Sequence, residues 1–227
     1  TYLILKIFIS KIVKLPVSDF GMPKFEIKIR WILIAILLPC IIKGIYVLIF
    51  NGEYVSSNMN GNEIFNTLSA GVAFTGIAAG FVEEMVFRGV ILNALKKRWN
   101  MKVAVIVPSM LFGIVHVLGQ DFSIGSCLLV IIAGTMVGVM FSMIAIESGS
   151  VWNSGIVHAI WNIVIIGGGL AIGEKMDPYS VMTYVLDSKV FAITGGEFGI
   201  ESSVISLIGY IIVAGIAFIM IKSNRKN

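Results

Sequence analysis

Residues 124–146, IGSCLLVIIAGTMVGVMFSMIAI, run without a single charged side chain. At about 1.5 Å of helical rise per residue, such a run outspans roughly 30 Å of hydrocarbon, so it reads as a membrane-crossing helix. Working outward, residues 31–50 read as a clean span, and residues 101–118, 151–172 and 204–221 read as further spans. Residues 63–99 are too long for one straight crossing. They are expected to form a tilted or broken helix whose last turns leave the bilayer near Lys96, Lys97 and Arg98. Residues 1–15 are apolar but interrupted by Lys6, Lys11 and Lys14, the pattern of a span end or an interfacial helix. The chain opens on Thr1 rather than Met, so a first helix that is partly missing is expected.

The expected fold class is all-α, a polytopic transmembrane helical bundle in a single domain. Residues 1–30 form an N-terminal remnant and interfacial segment, and 31–172 the core helices. Residues 173–203 form a connecting loop or re-entrant segment, marked by Asp177-Pro178 and Gly195-Gly196, and 204–222 the last helix. Composition agrees. Hydrophobic residues make up 57% of the chain and charged residues 13%, where soluble domains carry roughly a quarter charged. The mean hydropathy is +0.95.

The formal charge of +4 does not point to nucleic acid, because the basic residues cluster beside apolar segments instead of along a polar face. Lys24, Lys28 and Arg30 precede one span, Lys96 to Lys102 separate two others, and Lys222, Arg225 and Lys226 follow the last. Residues 51–62 and 120–123 hold no Lys or Arg. Alternating spans put every basic cluster on one side, which the positive-inside rule makes cytoplasmic, together with the C-terminus. Glu174, Asp177, Glu197 and Glu201, against Lys175 and Lys189, then face the other side. The only cysteines, Cys40 and Cys127, both lie in apolar stretches and suggest neither a disulfide framework nor a zinc finger. The pairs Gly76-x-x-x-Gly80 and Gly134-x-x-x-Gly138 are read as close-packing surfaces between helices.

Inside this apolar background stand three polar motifs: Glu83-Glu84-x-x-x-Arg88, Phe112-x-x-x-His116 and His158-x-x-x-Asn162. Ionisable groups at bilayer depth cost several kcal/mol unless they face a polar interior. Counted from the basic clusters at helical rise, Glu83 and His116 each lie roughly 20 Å deep, and His158 and Asn162 about 15 and 21 Å. All four are therefore expected around one cavity. Glu84 and Arg88, at i and i+4, can neutralise each other. Glu83 is rotated about 100° away and has no local cation. It is the free carboxylate, suited to a general base that takes a proton from water. Phe112, one turn before His116, can wall off its ring. His158 and Asn162 share a helix face and can donate to an oxyanion. Trp161 between them reads as a packing or interfacial residue.

These three motifs, in this order and each in its own hydrophobic segment, resemble the EExxxR, FxxxH and HxxxN motifs of the CAAX-processing and bacteriocin-processing (CPBP, or Abi) membrane peptidases. The similarity runs over roughly residues 61–173, and the glycine-rich Gly195-Gly196-Glu197-Phe198-Gly199 also has the look of bacterial members. The resemblance implies that Glu83 and His116 activate water, that His158 and Asn162 stabilise the oxyanion, and that Glu84 with Arg88 supports the fold. It leaves two mechanisms open: a glutamate-dependent hydrolase without metal, or a zinc peptidase holding Zn²⁺ with Glu83, His116 and His158.

The expected function is an intramembrane endopeptidase. Its substrate is a peptide or a lipidated or membrane-associated protein, in the setting of prenylated-protein processing, bacteriocin self-immunity or peptide-signal maturation. Many lysines, short loops and no extra domain favour a bacterial plasma membrane. Two other classes compete: an ion- or proton-coupled transporter, which inverted repeats would mark, and a non-catalytic immunity or scaffold protein. No internal repeat is evident, and the sequence sets no oligomeric state.

Overall fold

The computed structural model describes residues 2–13 and 16–224; Thr1, Lys14, Arg225 and Lys226, which figure in the sequence reading, lie outside them. Six principal helices are present: α1 (Ile29–Ile49), α2 (Gly61–Arg98), α3 (Met101–Val115), α4 (Ile124–Ser148), α5 (Val151–Ile165) and α6 (Val204–Asn224). Of these, α1, α2, α4 and α6 are long and apolar enough to cross a membrane. Large apolar side chains such as Leu48, Phe74, Ile124 and Ile219 stay exposed on their outer faces, while Trp31, Tyr46, Phe141 and Tyr210 are buried inside. A bundle that is apolar on both its inside and its outside suits lipid as solvent. The chain is an integral membrane protein with an all-α polytopic fold.

Both short helices end earlier than the hydrophobic runs suggest. Helices α3 and α5 have 15 residues each, about 22 Å at helical rise, where the apolar runs extend to residues 118 and 172. In α5 the cause is Gly167-Gly168-Gly169: Gly168 has φ +79°, a left-handed conformation that ends a helix. The chain then extends into a strand. Helix α2, by contrast, continues unbroken for 38 residues. Two stretches within it, Gly71–Ala79 and Met85–Ile91, take the wider π-type turn, which alters the angular spacing of side chains on either side of Glu83 and Glu84.

Small residues set the helix contacts. A Cβ on Gly80 would stand 2.8 Å from the Ala159 backbone, so α2 and α5 touch almost backbone to backbone. Gly134 meets Gly113 in the same way where α4 crosses α3, with 2.6 Å to the Gly113 Cα. These are the approaches that both glycine pairs were expected to permit. The span read as clean holds a cation, Lys43. Its ammonium donates to the carbonyls of Val164 and Leu170, at and just beyond the C-terminal end of α5, where unpaired carbonyls favour positive charge.

At the end of the bundle away from the basic clusters lies a small sheet that the apolar pattern did not announce. Its strands are β1 (Gly52–Ser56), β2 (Leu170–Gly173) and β3 (Met182–Leu186), in the order β1-β3-β2. Strand β1 runs antiparallel to β3 with Tyr54 opposite Tyr184, and β2 runs parallel to β3 with Leu170 opposite Met182. The Tyr54 and Tyr184 rings meet at 4.8 Å. Residues 187–203 then return over this end through short turns to α6.

Candidate functional site

Three helices carry the motif residues. Glu83, Glu84 and Arg88 lie on α2, Phe112 is in the last turn of α3 with His116 capping it, and His158 and Asn162 lie one turn apart on α5. The close Gly80–Ala159 approach brings the α2 carboxylates next to the α5 imidazole. Glu83, Phe112, His116, His158 and Asn162 all line one cavity of about 160 Å³ inside the bundle.

The two adjacent glutamates part company. Glu84 is fully buried and so is Arg88, whose Nη1 donates to Glu84 Oε1 at 2.7 Å and whose Nη2 donates to the Gly138 carbonyl at 3.0 Å. The guanidinium also lies over the Phe112 ring at 4.6 Å. A buried ion pair is tolerable only when supplementary hydrogen bonds of this kind are made. Glu83 keeps a third of its side chain exposed and sits 3.9 Å from His158 Nε2.

His158 stands between the two carboxylates. Its Nδ1 is 3.2 Å from Glu84 Oε1, a contact the motif spacing does not reveal, and its ring stacks on Phe141 with centroids 4.5 Å apart. A carboxylate behind Nδ1 orients the ring. His116 has a different arrangement. Its Nδ1 lies 2.6 Å from the Phe112 carbonyl, an oxygen that can only accept, so Nδ1 carries a proton and the neutral ring presents Nε2 as an acceptor. Phe112 also packs on that ring at 4.6 Å. Asn162 spends one amide N–H on the Thr75 carbonyl at 2.9 Å, and its second N–H has no partner among the described residues.

Part of the cavity wall comes from residues that the motifs did not indicate: Thr75, Phe198, Glu201 and Tyr210. Trp161 is more than a packing residue, because it lines the cavity and its Nε1 donates to Glu201 Oε2 at 3.1 Å. The Glu201 carbonyl in turn accepts from the Tyr210 hydroxyl at 2.9 Å. Burial pushes the Glu201 carboxyl above the usual carboxylate range, against the indole hydrogen bond and the nearby histidines, which favour its ionised form. Local glycine chemistry puts it there. Gly199 takes φ +91° and ψ −172°, a region essentially reserved for glycine, so the chain can turn between Phe198 and Glu201 and aim both at the cavity.

Glu83, His116 and His158 share the cavity, but among the described residues no three His, Cys, Asp or Glu side chains are gathered so as to hold a metal ion. Both rings engage Nδ1, with the Phe112 carbonyl and with Glu84, which leaves Nε2 as the remaining donor atom on each ring.

Among known protein families, residues 65–164 match the family described as Rce1-like, type II CAAX prenyl endopeptidase Rce1-like. The matched stretch contains all seven motif residues and ends before Phe198 and Glu201. Neither the curated proteins nor the solved structures give a match to the chain.

Proposed function

We propose that this membrane protein, whose residues 65–164 match the Rce1-like family, is a glutamate-dependent intramembrane endopeptidase acting on a peptide or membrane-associated protein. The observation that carries the reading is the meeting of Glu83, His116, His158 and Asn162, from three helices, around one cavity inside the bundle.

In this proposal a water is held between the Glu83 carboxylate and the acceptor Nε2 of His116. Glu83 takes its proton as the oxygen attacks the scissile carbonyl carbon. The carbonyl oxygen becomes an oxyanion, met by the free N–H of Asn162 and by His158 Nε2–H. With Nδ1–H directed at Glu84, a ring that also donates from Nε2 is the imidazolium, and Glu83 and Glu84 flank it on its two nitrogen sides. Collapse of the tetrahedral intermediate breaks the C–N bond, and the proton held by Glu83 passes to the leaving amine. Arg88 pairs with Glu84 and holds that carboxylate in place behind His158.

The finer settings remain parts of the same proposal: a lipidated or unmodified peptide substrate, self-immunity or signal processing in a bacterial plasma membrane, and a cytoplasmic C-terminus. Basic clusters at the ends of α2 and α6 and ahead of α1 support that orientation. The test is peptide cleavage by purified protein in lipid nanodiscs. Glu83→Gln and His116→Ala, with unchanged melting behaviour, are expected to lower kcat/KM about 10²–10⁴-fold. A wild type that cleaves nothing but still protects cells equally with these variants would favour the scaffold reading.

A further inference from the structure

The catalytic cavity is not the larger one. A second cavity of about 620 Å³ lies at the end of the bundle that holds the sheet, and the two linings share Ile166, Phe198 and Glu201. The cavities therefore meet at that trio. Their walls differ. The inner cavity is mostly apolar, with Val130, Ala133, Val137 and Phe141 among its lining. The outer one is about half apolar, with Ile172, Phe191 and Ile200 in its wall, and the rest is hydroxyl side chains, Glu174, Asp177, Glu197 and Glu201, with Lys175 its only Lys or Arg among the described residues. A volume in the range of about 300–1,000 Å³ is that of a ligand site, and a wall that mixes apolar side chains with carboxylates and hydroxyls calls for a ligand that carries both kinds of group, which a purely apolar chain does not. Peptide is the better fit.

Glu201 is the only carboxylate common to both linings. Trp161 and Tyr210 hold it in place, one through Oε2 and the other through its main-chain carbonyl, while Oε1 takes no hydrogen bond among the described residues. No Lys or Arg side chain among the described residues pairs with it. A half-buried, immobilised carboxylate with an open oxygen and no cation is costly when ionised, and an arriving cation would offset that cost. The other acids of the outer cavity are engaged locally: Glu197 accepts from the Ser123 N–H, Glu174 from the Thr194 hydroxyl and Asp177 from the Ser180 hydroxyl. They contribute negative potential, and Glu201 contributes the contact.

We propose that the outer cavity binds the polar, cationic flank of a peptide substrate, and that Glu201 determines specificity by receiving a lysine or arginine side chain close to the scissile bond. This subsite rests on the peptidase reading above, and the experiment separates the two. Fluorescent peptides that differ only by Lys or Glu, with the exchanged position scanned along an apolar-tailed sequence, are titrated onto Glu83→Gln protein in nanodiscs, where binding is read without turnover. The Lys peptide is expected to bind about tenfold tighter than its Glu counterpart at one or two adjacent positions, equivalent to about 1.4 kcal/mol.

Adding Glu201→Gln should bring that ratio close to one, Glu201→Asp should largely keep it, and Glu201→Lys should reverse it. Glu197→Gln, on the exposed rim, should leave it nearly unchanged. Equal binding of both peptides, binding of neither, a ratio indifferent to Glu201→Gln, or an equal loss in Glu197→Gln would each overturn the subsite. Cleavage by wild type is scored separately. Preference without turnover strikes the peptidase reading alone, and turnover without preference strikes the subsite alone.

Discussion

The two ends of this bundle handle charge in opposite ways. At the basic end, the buried Glu147 carboxylate takes the Arg30 guanidinium on one oxygen and the Trp31 indole N–H, at 2.9 Å, on the other, and Lys97 pairs with Asp19 at 3.1 Å. The Asn153 carbonyl oxygen receives the Lys28 N–H, and Trp152 donates to the Pro23 carbonyl, so the entry to α1 is tied down on α5. At the far end, Glu174, Asp177, Glu197 and Glu201 line open space, and among the described residues none pairs with a lysine or arginine. Paired charges close one end. Carboxylates without a cation around a cavity leave the other able to receive something, and that cavity adjoins the one that holds the motif residues.

Four experiments break or sharpen this contrast. The largest effect is expected midway between the ends, where Arg88→Ala strands the buried Glu84 charge. Removing one partner of such a pair costs about 3–5 kcal/mol, seen as a lower midpoint in denaturant titration of the micellar protein. Arg30→Ala removes a partner that is 40% exposed and should cost clearly less; equal losses would erase the distinction between a buried staple and a closing pair.

Next comes catalysis. Alanine at His158 should lower kcat/KM about 10²–10⁴-fold, while Glu147→Gln at the basic end should leave kcat/KM within about twofold. A comparable loss in both would show that the assay reads folding. Third, exhaustive chelation followed by metal analysis should leave wild-type turnover unchanged, and loss on chelation with return on zinc addition would overturn the metal-free mechanism.

The smallest effect concerns pH. The Glu201 carboxyl is raised in the folded protein, so the unfolded chain releases this proton first as pH climbs. The folded state is then penalised from about pH 4, the ordinary glutamate range, through the raised folded value, and the penalty is complete above it. Glu201→Gln should therefore gain melting temperature over wild type at pH 8 and lose that gain near pH 4. An equal difference at both values would deny the raised carboxyl and weaken the case for an uncompensated charge at the mouth.

Much of the candidate site was legible because its signals are local. Polar residues in otherwise apolar runs are conspicuous, and four-residue spacing assigns Glu84 to Arg88 and leaves Glu83 apart. Depth counting from basic clusters placed Glu83, His116, His158 and Asn162 near one level, and they do share a cavity. The contact between His158 and Glu84 was not legible, since it depends on how closely Gly80 lets two helices approach. Glu201 was legible only as one of four acids on the side away from the basic clusters, with nothing to tie it to the site. It is an acid in a glycine-rich turn, 40 residues from the indole it binds.

By itself, then, the amino-acid order determined the membrane class, the number and polarity of the long helices, and the side chains that bilayer physics would not tolerate without partners. Hydropathy and helical periodicity act over a few turns, so a linear reading suffices for them. Only the tertiary structure decided where α5 stops, that β1 pairs with β3 across more than a hundred residues, that Lys43 caps the end of α5, and that Glu201 closes the ring of groups around the cavity. Those outcomes depend on distances between segments far apart in the chain, which packing sets and local pattern does not contain.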